Sequence, residues 1–139
     1  MLKKGYEFFD HTADIGIQAE GTTLAQLFER MARGLVELIA EESQLMPRQA
    51  RPIQLTASDT ESLLLKWLQE LLFWFSTDHF LPVRYALEVT GMSLSGEVRG
   101  EFFDPARHMQ GREVKAITRH GLEVTQGNGG WQGRVIVDV

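Results

Sequence analysis

The sequence predicts an α+β fold: a two-layer sandwich in which two helices cover one face of a mainly antiparallel sheet. Three observations predict it. Two segments in the first half carry apolar residues at helical spacing behind capping signatures, at Leu24 to Glu41 and beyond Ser58. From Leu81 onward the apolar residues alternate instead. The order runs strand, helix, strand, helix and then a series of strands, the pattern of helices segregated to one side of a sheet.

Each element has its own signal. Ile15, Ile17 and Ala19 alternate with Gly16, Gln18 and Glu20, as a half-buried strand requires, and Gly21 ends the run. Thr23 and Gln26 then form a capping-box pair. Behind it Leu24, Leu27, Phe28, Met31, Leu35 and Leu38 share a helical face that reads to about Glu41. Gly34, inside that helix, predicts a neighbour packed close. A connector from Glu42 to Arg51 is kept non-helical by Pro47 and Pro52. Ile53, Leu55 and Ala57 alternate as a short strand.

Ser58 and Glu61 make a second capping-box pair ahead of the most apolar segment of the chain. Leu63 to Leu65, Trp67, Leu68 and Leu71 to Phe75 cover most of that helix's circumference, so it is predicted to be central and buried on more than one side. Its aromatics read as core rather than as a ligand box. Val83, Tyr85, Leu87 and Val89 alternate next, Gly91 turns the chain, and Leu94 to Phe102 returns. Phe103 to Gly111 reads as a loop around Pro105. Val114 to Val124 and Trp131 to Val137 read as strands joined through Gln126-Gly127-Asn128-Gly129-Gly130, a hairpin signal.

The length of 139 residues predicts one domain spanning 1–139. Apolar residues make up 43% and charged residues 24%, the balance of a globular chain rather than a disordered one. There is no cysteine, which excludes disulfides, thiolate nucleophiles and Cys-ligated zinc. A net charge of -5 speaks against tight, sequence-independent binding of nucleic acid and leaves room for a cation site or a basic partner. The opening Met1-Leu2-Lys3-Lys4-Gly5 lacks the apolar core of a signal peptide, and Lys66, Gln69 and Glu70 interrupt the longest apolar stretch. The expectation is a cytoplasmic protein without a membrane segment.

The candidate chemistry lies at the two ends. Asp14 sits in Asp10-His11-Thr12-Ala13-Asp14-Ile15-Gly16-Ile17, and Asp138 stands beside Val139, whose α-carboxylate adds a second anionic group at the close of Val135-Ile136-Val137. Clustered oxygen ligands of this kind suit a hard divalent cation. The alternative is that Asp138 merely ends a strand and Asp14 merely precedes one. His11 and Asp14 are too loosely spaced to define a metal pair. His79 is expected to cap the long helix, and His120 to serve a strand or turn hydrogen bond. His108, beside Arg107, is placed either to contact an anionic partner or to serve the loop itself. Lys115, after a glycine-containing loop, is either solvated or a charge partner for a phosphate or an acidic residue. No phosphate-binding loop, dinucleotide fingerprint or nucleophile elbow appears.

Taken together, His11-Thr12-Ala13-Asp14-Ile15-Gly16-Ile17, Glu113-Val114-Lys115-Ala116-Ile117-Thr118 and the closing Asp138-Val139 resemble the archease family, end to end. Arg119 departs from it, standing where the family pattern leads one to expect an aromatic residue before the histidine. The resemblance implies a fold related to strand-helix-strand-strand modules. It also implies a non-enzymatic accessory protein that activates an RtcB-type RNA ligase, promoting its GTP-dependent guanylylation and multiple turnover in tRNA splicing and RNA repair. Carried onto this chain it implies a divalent cation (calcium first, magnesium or manganese otherwise) at Asp14, Asp138 and Val139, with Lys115 toward the partner. The competing expectation is a protein-interaction adaptor of the same module type that uses no metal.

Overall fold

The computed structural model describes residues 2–11 and 14–139, and the side chains of His11 and Glu42 fall outside that description. Its elements are β1 (Tyr6–His11), β2 (Asp14–Gly21), α1 (Leu24–Ile39), a 3-10 turn (Glu42–Gln44), β3 (Gln49–Thr56), α2 (Thr60–Asp78), β4 (Phe80–Val89), β5 (Ser93–Phe102), β6 (Ala116–Gly127) and β7 (Gly130–Asp138). The α+β class and the antiparallel pairing hold. The strands divide between two sheets, ordered β1-β2-β7-β6 and β3-β5-β4. Both helices contact strands of both sheets, which is why α2 needs apolar residues nearly all round.

Local chemistry sets the helix ends. Thr23 caps α1 by accepting from the Gln26 N–H at 3.1 Å, and the Gln26 side chain accepts in turn from the Thr22 N–H at 2.7 Å. The reciprocal bond thus falls one residue earlier than a strict capping box. At α2 the cap is Asp59 rather than Ser58: its carboxylate accepts from the Ser62 N–H at 2.7 Å. That bond and the nearby Arg119 hold Asp59 below the usual carboxylate range. His79 ends α2 in the left-handed region, φ 63°, with its N–H on the Phe75 carbonyl, as its position predicts.

The core lies where the helices meet the sheets. Leu27, Phe28, Met31 and Leu35 of α1 are sealed against Ile17 and Val135, all with no measurable exposure. Gly34 has the expected close neighbours: a Cβ there would lie 2.9 Å from Ile17 and 3.3 Å from Tyr6. Trp67 ties the helices together, its buried indole N–H donating to the Phe28 carbonyl at 3.0 Å.

Three departures from the sequence reading have clear causes. Strand β1 is not anticipated, because Tyr6-Glu7-Phe8-Phe9 is too short and mixed to show alternation; the whole of its register against β2 is set by pairing. Strand β3 begins at Gln49, inside the expected connector. Pro52 is tolerated there because β3 is an edge strand and bonds to β5 alone. The Val114–Val124 segment is not one regular strand: its register against β7 slips between Thr118 and Glu123, around Gly121 at φ 68°. The slip carries Arg119 to the first turn of α2, where its guanidinium donates to the Ser62 hydroxyl at 3.3 Å.

The loop after β5 corrects the reading of His108 as a contact for an anionic partner. His108 is 4% exposed. Its Nδ1 accepts from the Asp104 N–H at 2.7 Å, so Nε2 carries the proton and donates to Glu101 at 3.2 Å. Glu101, 3% exposed, also accepts from the Met46 N–H at 2.8 Å and pairs with Arg48 at 3.1 Å and with Arg107. Burial pushes this carboxyl upward, but the Arg107 guanidinium, the Met46 N–H and His108 outweigh it and hold Glu101 below its ordinary range. One carboxylate therefore fastens the segment before β3 and the loop after β5 to the end of the second sheet.

Two consequences are measurable. Gly16 sits in mid-strand beneath Phe9, whose ring occupies the space a Cβ would need and is itself covered by Arg134, 4.4 Å from the ring centre. Gly16→Ala should cost about 2 kcal/mol in urea denaturation, as overpacking does, and Phe9→Ala in the same chain should recover part of it. Equal losses with and without Phe9 would remove the steric explanation. Glu101→Gln should cost about 2 kcal/mol at pH 7, because buried donors lose their charged acceptor. A lowered folded pKa means that the carboxylate's contribution is complete above about pH 4.3, the unfolded value, and is lost as pH falls through the folded one. The gap between wild type and Glu101→Gln should therefore narrow in strong acid; a constant gap from pH 7 to about pH 2.5 would contradict this.

Candidate functional site

Three segments far apart in sequence end at one edge of the first sheet. Strand β2 starts at Asp14, β7 ends at Asp138 and β6 starts at Ala116. Ile15 faces Val137 in the β2–β7 ladder, so one further step along both strands sets Asp14 across from Asp138. On its other side Asp138 faces Ala116, and its carbonyl accepts from the Lys115 N–H at 2.8 Å. Val139 packs its side chain against the core and so fixes the main chain beyond Asp138. All four residues singled out from the sequence thus meet at this edge.

Alternation decides which way the carboxylates point. Ile15 and Val137 face the helices and join the core. Asp14 and Asp138 therefore stand on the outer face, both partly exposed, and Lys115 is exposed beside them. Directly opposed residues have Cβ atoms about 5 Å apart, and like charges in that position repel. A divalent cation between them would reverse the sign of the interaction, and oxygen donors suit calcium, magnesium or manganese. Among the described residues no group of three His, Cys, Asp or Glu side chains is placed to hold a metal. Further ligands would have to be main-chain oxygens, a terminal carboxylate or water. Such a site would be open and would exchange its ion readily. Of the motif at this edge, Thr12, Ala13 and the His11 side chain lie outside the described residues.

The outer face next to the aspartates has a floor that the sequence reading missed. Gly16 pairs with Ile136, Phe9 folds over Gly16, and Ile136 is 3% exposed although it points away from the helices. A glycine inside an otherwise regular strand is the signal that could have found this, since it marks a close approach. Two clefts lie elsewhere. One, of about 700 Å³, is lined by Lys4, Tyr6, Arg33 and Glu37. The other, of about 740 Å³, lies by the β6–β7 hairpin and is lined by Lys3, Arg30 and Trp131. In the first, burial raises the Glu37 carboxyl, yet the Tyr6 hydroxyl at 2.5 Å and Lys4 hold it below its usual range. Neither cleft includes Asp14, Asp138 or Lys115.

The model of the Archease protein family (MTH1598/TM1083) matches residues 6–139. The chain is 35% identical over 136 residues to the Protein archease of Sulfolobus acidocaldarius, covering 96% of this chain and 98% of that one. It is 36% identical over 140 residues to the Protein archease of Methanothermobacter thermautotrophicus, covering 98% and 99%. The solution structure of Methanobacterium thermoautotrophicum protein 1598 is 35% identical and superposes with a TM-score of 0.82 over 98% of this chain and 99% of that chain. A Thermotoga maritima crystal structure, described as an archease and possible chaperone, shares the fold at 19% identity and a TM-score of 0.65, covering 94% of each chain. The model's span and the full-length relatives leave one conclusion: this chain belongs to the archease family.

Proposed function

We propose that the chain is a metal-binding accessory protein that activates an RtcB-type RNA ligase, promoting the ligase's GTP-dependent guanylylation and its multiple turnover in tRNA splicing and RNA repair. The observation that carries this reading is the meeting of Asp14, Asp138 and Lys115 at one sheet edge. Family membership supplies the partner class. In this reading Asp14, Asp138 and the carboxylate of Val139 hold one divalent cation, calcium first, and present it on an exposed face. Lys115 cannot ligate a cation, since an ammonium has no acceptor; it addresses a phosphate or an acidic group on the ligase. The chain itself performs no bond-making step, and its effect is exerted on the ligase's own centre in the cytoplasm.

The weakness of the site is part of the function. Two side-chain carboxylates and a main-chain group leave several coordination positions to water. A cation held this way can be shared with, or passed to, a partner whose own ligands complete the shell. An adaptor that docks without metal would have no need of aspartates brought to the same edge.

Asp14→Ala should abolish most of the rise in melting temperature that calcium produces, while stability in EDTA stays level or increases, because one of two opposed charges is gone. With the cognate ligase, GTP and Mn²⁺, guanylylation should fall toward the rate without the accessory protein. A mutant that melts lower in EDTA, still responds to calcium and still activates would overturn the shared site and leave the adaptor. Lys115→Ala should lose ligase stimulation yet keep its calcium response. Extending the chain beyond Val139 by a few residues should impair both; full turnover with such an extension would remove Val139 from the ligand set.

A further inference from the structure

The cleft by the β6–β7 hairpin, of about 740 Å³, lies at the end of the first sheet away from the aspartate edge, roughly 20 Å from Asp14 along β2. Its volume falls within the range of small-molecule sites. The walls are the segment before β1, the junction of β2 with the first turns of α1, and the hairpin. Among the described residues its charged lining is Lys3, Lys4, Arg30 and Glu20. Lys4 pairs with Glu37, and the Glu20 carboxylate accepts from the Leu2 N–H at 2.5 Å. Lys3 and Arg30 have no carboxylate partner among the described residues. Arg30 is nonetheless fixed. Its guanidinium donates to the Glu20 carbonyl at 2.9 Å, and Gly5, at φ 81°, leaves the space that its side chain fills. In a chain of net charge -5, two cations without counter-charge in one cleft mark a place for an anion.

The rest of the lining suits a flat, polar-edged group. Trp131 lines the cleft, packs against the core and remains partly exposed, whereas Trp67 and Trp74 are buried. Beside it Gln126, Asn128 and Gln132 carry carboxamides that make no hydrogen bond to described residues. Each offers both a donor and an acceptor. Gln26 spends its oxygen on Thr22, which leaves its amide N–H groups to donate. Gly127 and Gly129 complete the rim: a Cβ at either would meet nothing within 4 Å, and neither takes a positive φ. Space and backbone conformation therefore explain neither glycine, whereas close approach of a ligand to bare main chain explains both.

We infer that this cleft binds a nucleoside phosphate, either free or as the end nucleotide of an RNA strand. The base stacks on Trp131, the neighbouring carboxamides meet its polar edge, and Lys3 and Arg30 take the phosphate. Two cations suit one phosphate group rather than a track along a backbone, in keeping with the acidic chain. The inference goes beyond the proposed function and does not depend on it, since the cleft and the aspartate edge share no residue.

The test is NMR titration of the isotopically labelled chain with adenosine 5′-monophosphate, adenosine and inorganic phosphate. The monophosphate should shift the Trp131 indole N–H and the hairpin amides, and bind at least about tenfold tighter than either fragment, because stacking and charge act together. Trp131→Ala, first checked by thermal melting, should raise its Kd at least about tenfold. Lys3→Gln leaves the core untouched, since Lys3 is exposed ahead of β1. It should weaken the monophosphate about threefold or more and leave adenosine unchanged. A dinucleotide with a 5′-phosphate separates the two sources: affinity equal to the monophosphate's assigns the end of a strand, and weaker binding assigns the free nucleotide. No shift at Trp131 or the hairpin overturns the inference. Phosphate that binds as tightly as the monophosphate reduces the cleft to a plain anion site and overturns it too, as does an unchanged Kd in Lys3→Gln. Each of these results leaves the proposed function standing.

Discussion

Pairing β2 with β7 closes nearly the whole chain into one loop, and the rest of the molecule is arranged around that closure. The ladder runs from Ile15 opposite Val137 to Gly21 opposite Trp131. Its inner face supplies Ile17 and Val135, on which α1 lies, and Gly34 lets the helix come close enough to bury them. Loop closure of this length carries an entropic cost, though one that grows only slowly with length. It is offset by two strands' worth of apolar burial and by hydrogen bonds on both sides of β7. The same register sets the function. A slip of one residue would turn Ile15 and Ile17 outward and bring the aspartates into the core. The core therefore sets the register that brings the two aspartates to adjoining strand ends.

What the sequence discloses depends on how local the cause is. Both helices are legible from spacing and capping residues, because the face they bury is written at a period of 3.6. Thr23 is read correctly, whereas Asp59 displaces Ser58 as a cap, since either residue type can accept from the first turn and only the chain's path chooses. The Asn128-Gly129 turn is local and is found. The division into two sheets is not, because alternation shows that a segment is a strand but not which strand it joins. Strand β1 depends for its whole identity on β2. His108 shows the same limit: nothing beside it in sequence announces Glu101, which reaches it only after β5 and the following loop have folded.

The candidate site divides in the same way. Asp14, Asp138 and Lys115 are separable guesses in the sequence, each with an ordinary alternative, and resemblance to a family is what joins them there. Pairing brings them to one edge for a reason independent of family: β2, β7 and β6 are consecutive neighbours, and their relevant ends coincide. The apolar floor of Phe9, Gly16 and Ile136 beside them was hidden because its members lie on three strands.

The two carboxylate arrangements of this protein obey opposite electrostatic rules, and the contrast bears on what each is for. Glu101 is buried and held by two arginines, a backbone N–H and a histidine, so its charge is satisfied from within and its work is to fix a loop. Asp14 and Asp138 are partly exposed and stand at adjoining ends of β2 and β7, one step beyond the Ile15–Val137 pair. A protein that needed those residues for stability alone would gain more from a hydrogen-bonding neutral pair. At that edge they are open to a cation or to a basic group of a partner, whereas the carboxylate of Glu101 is closed off.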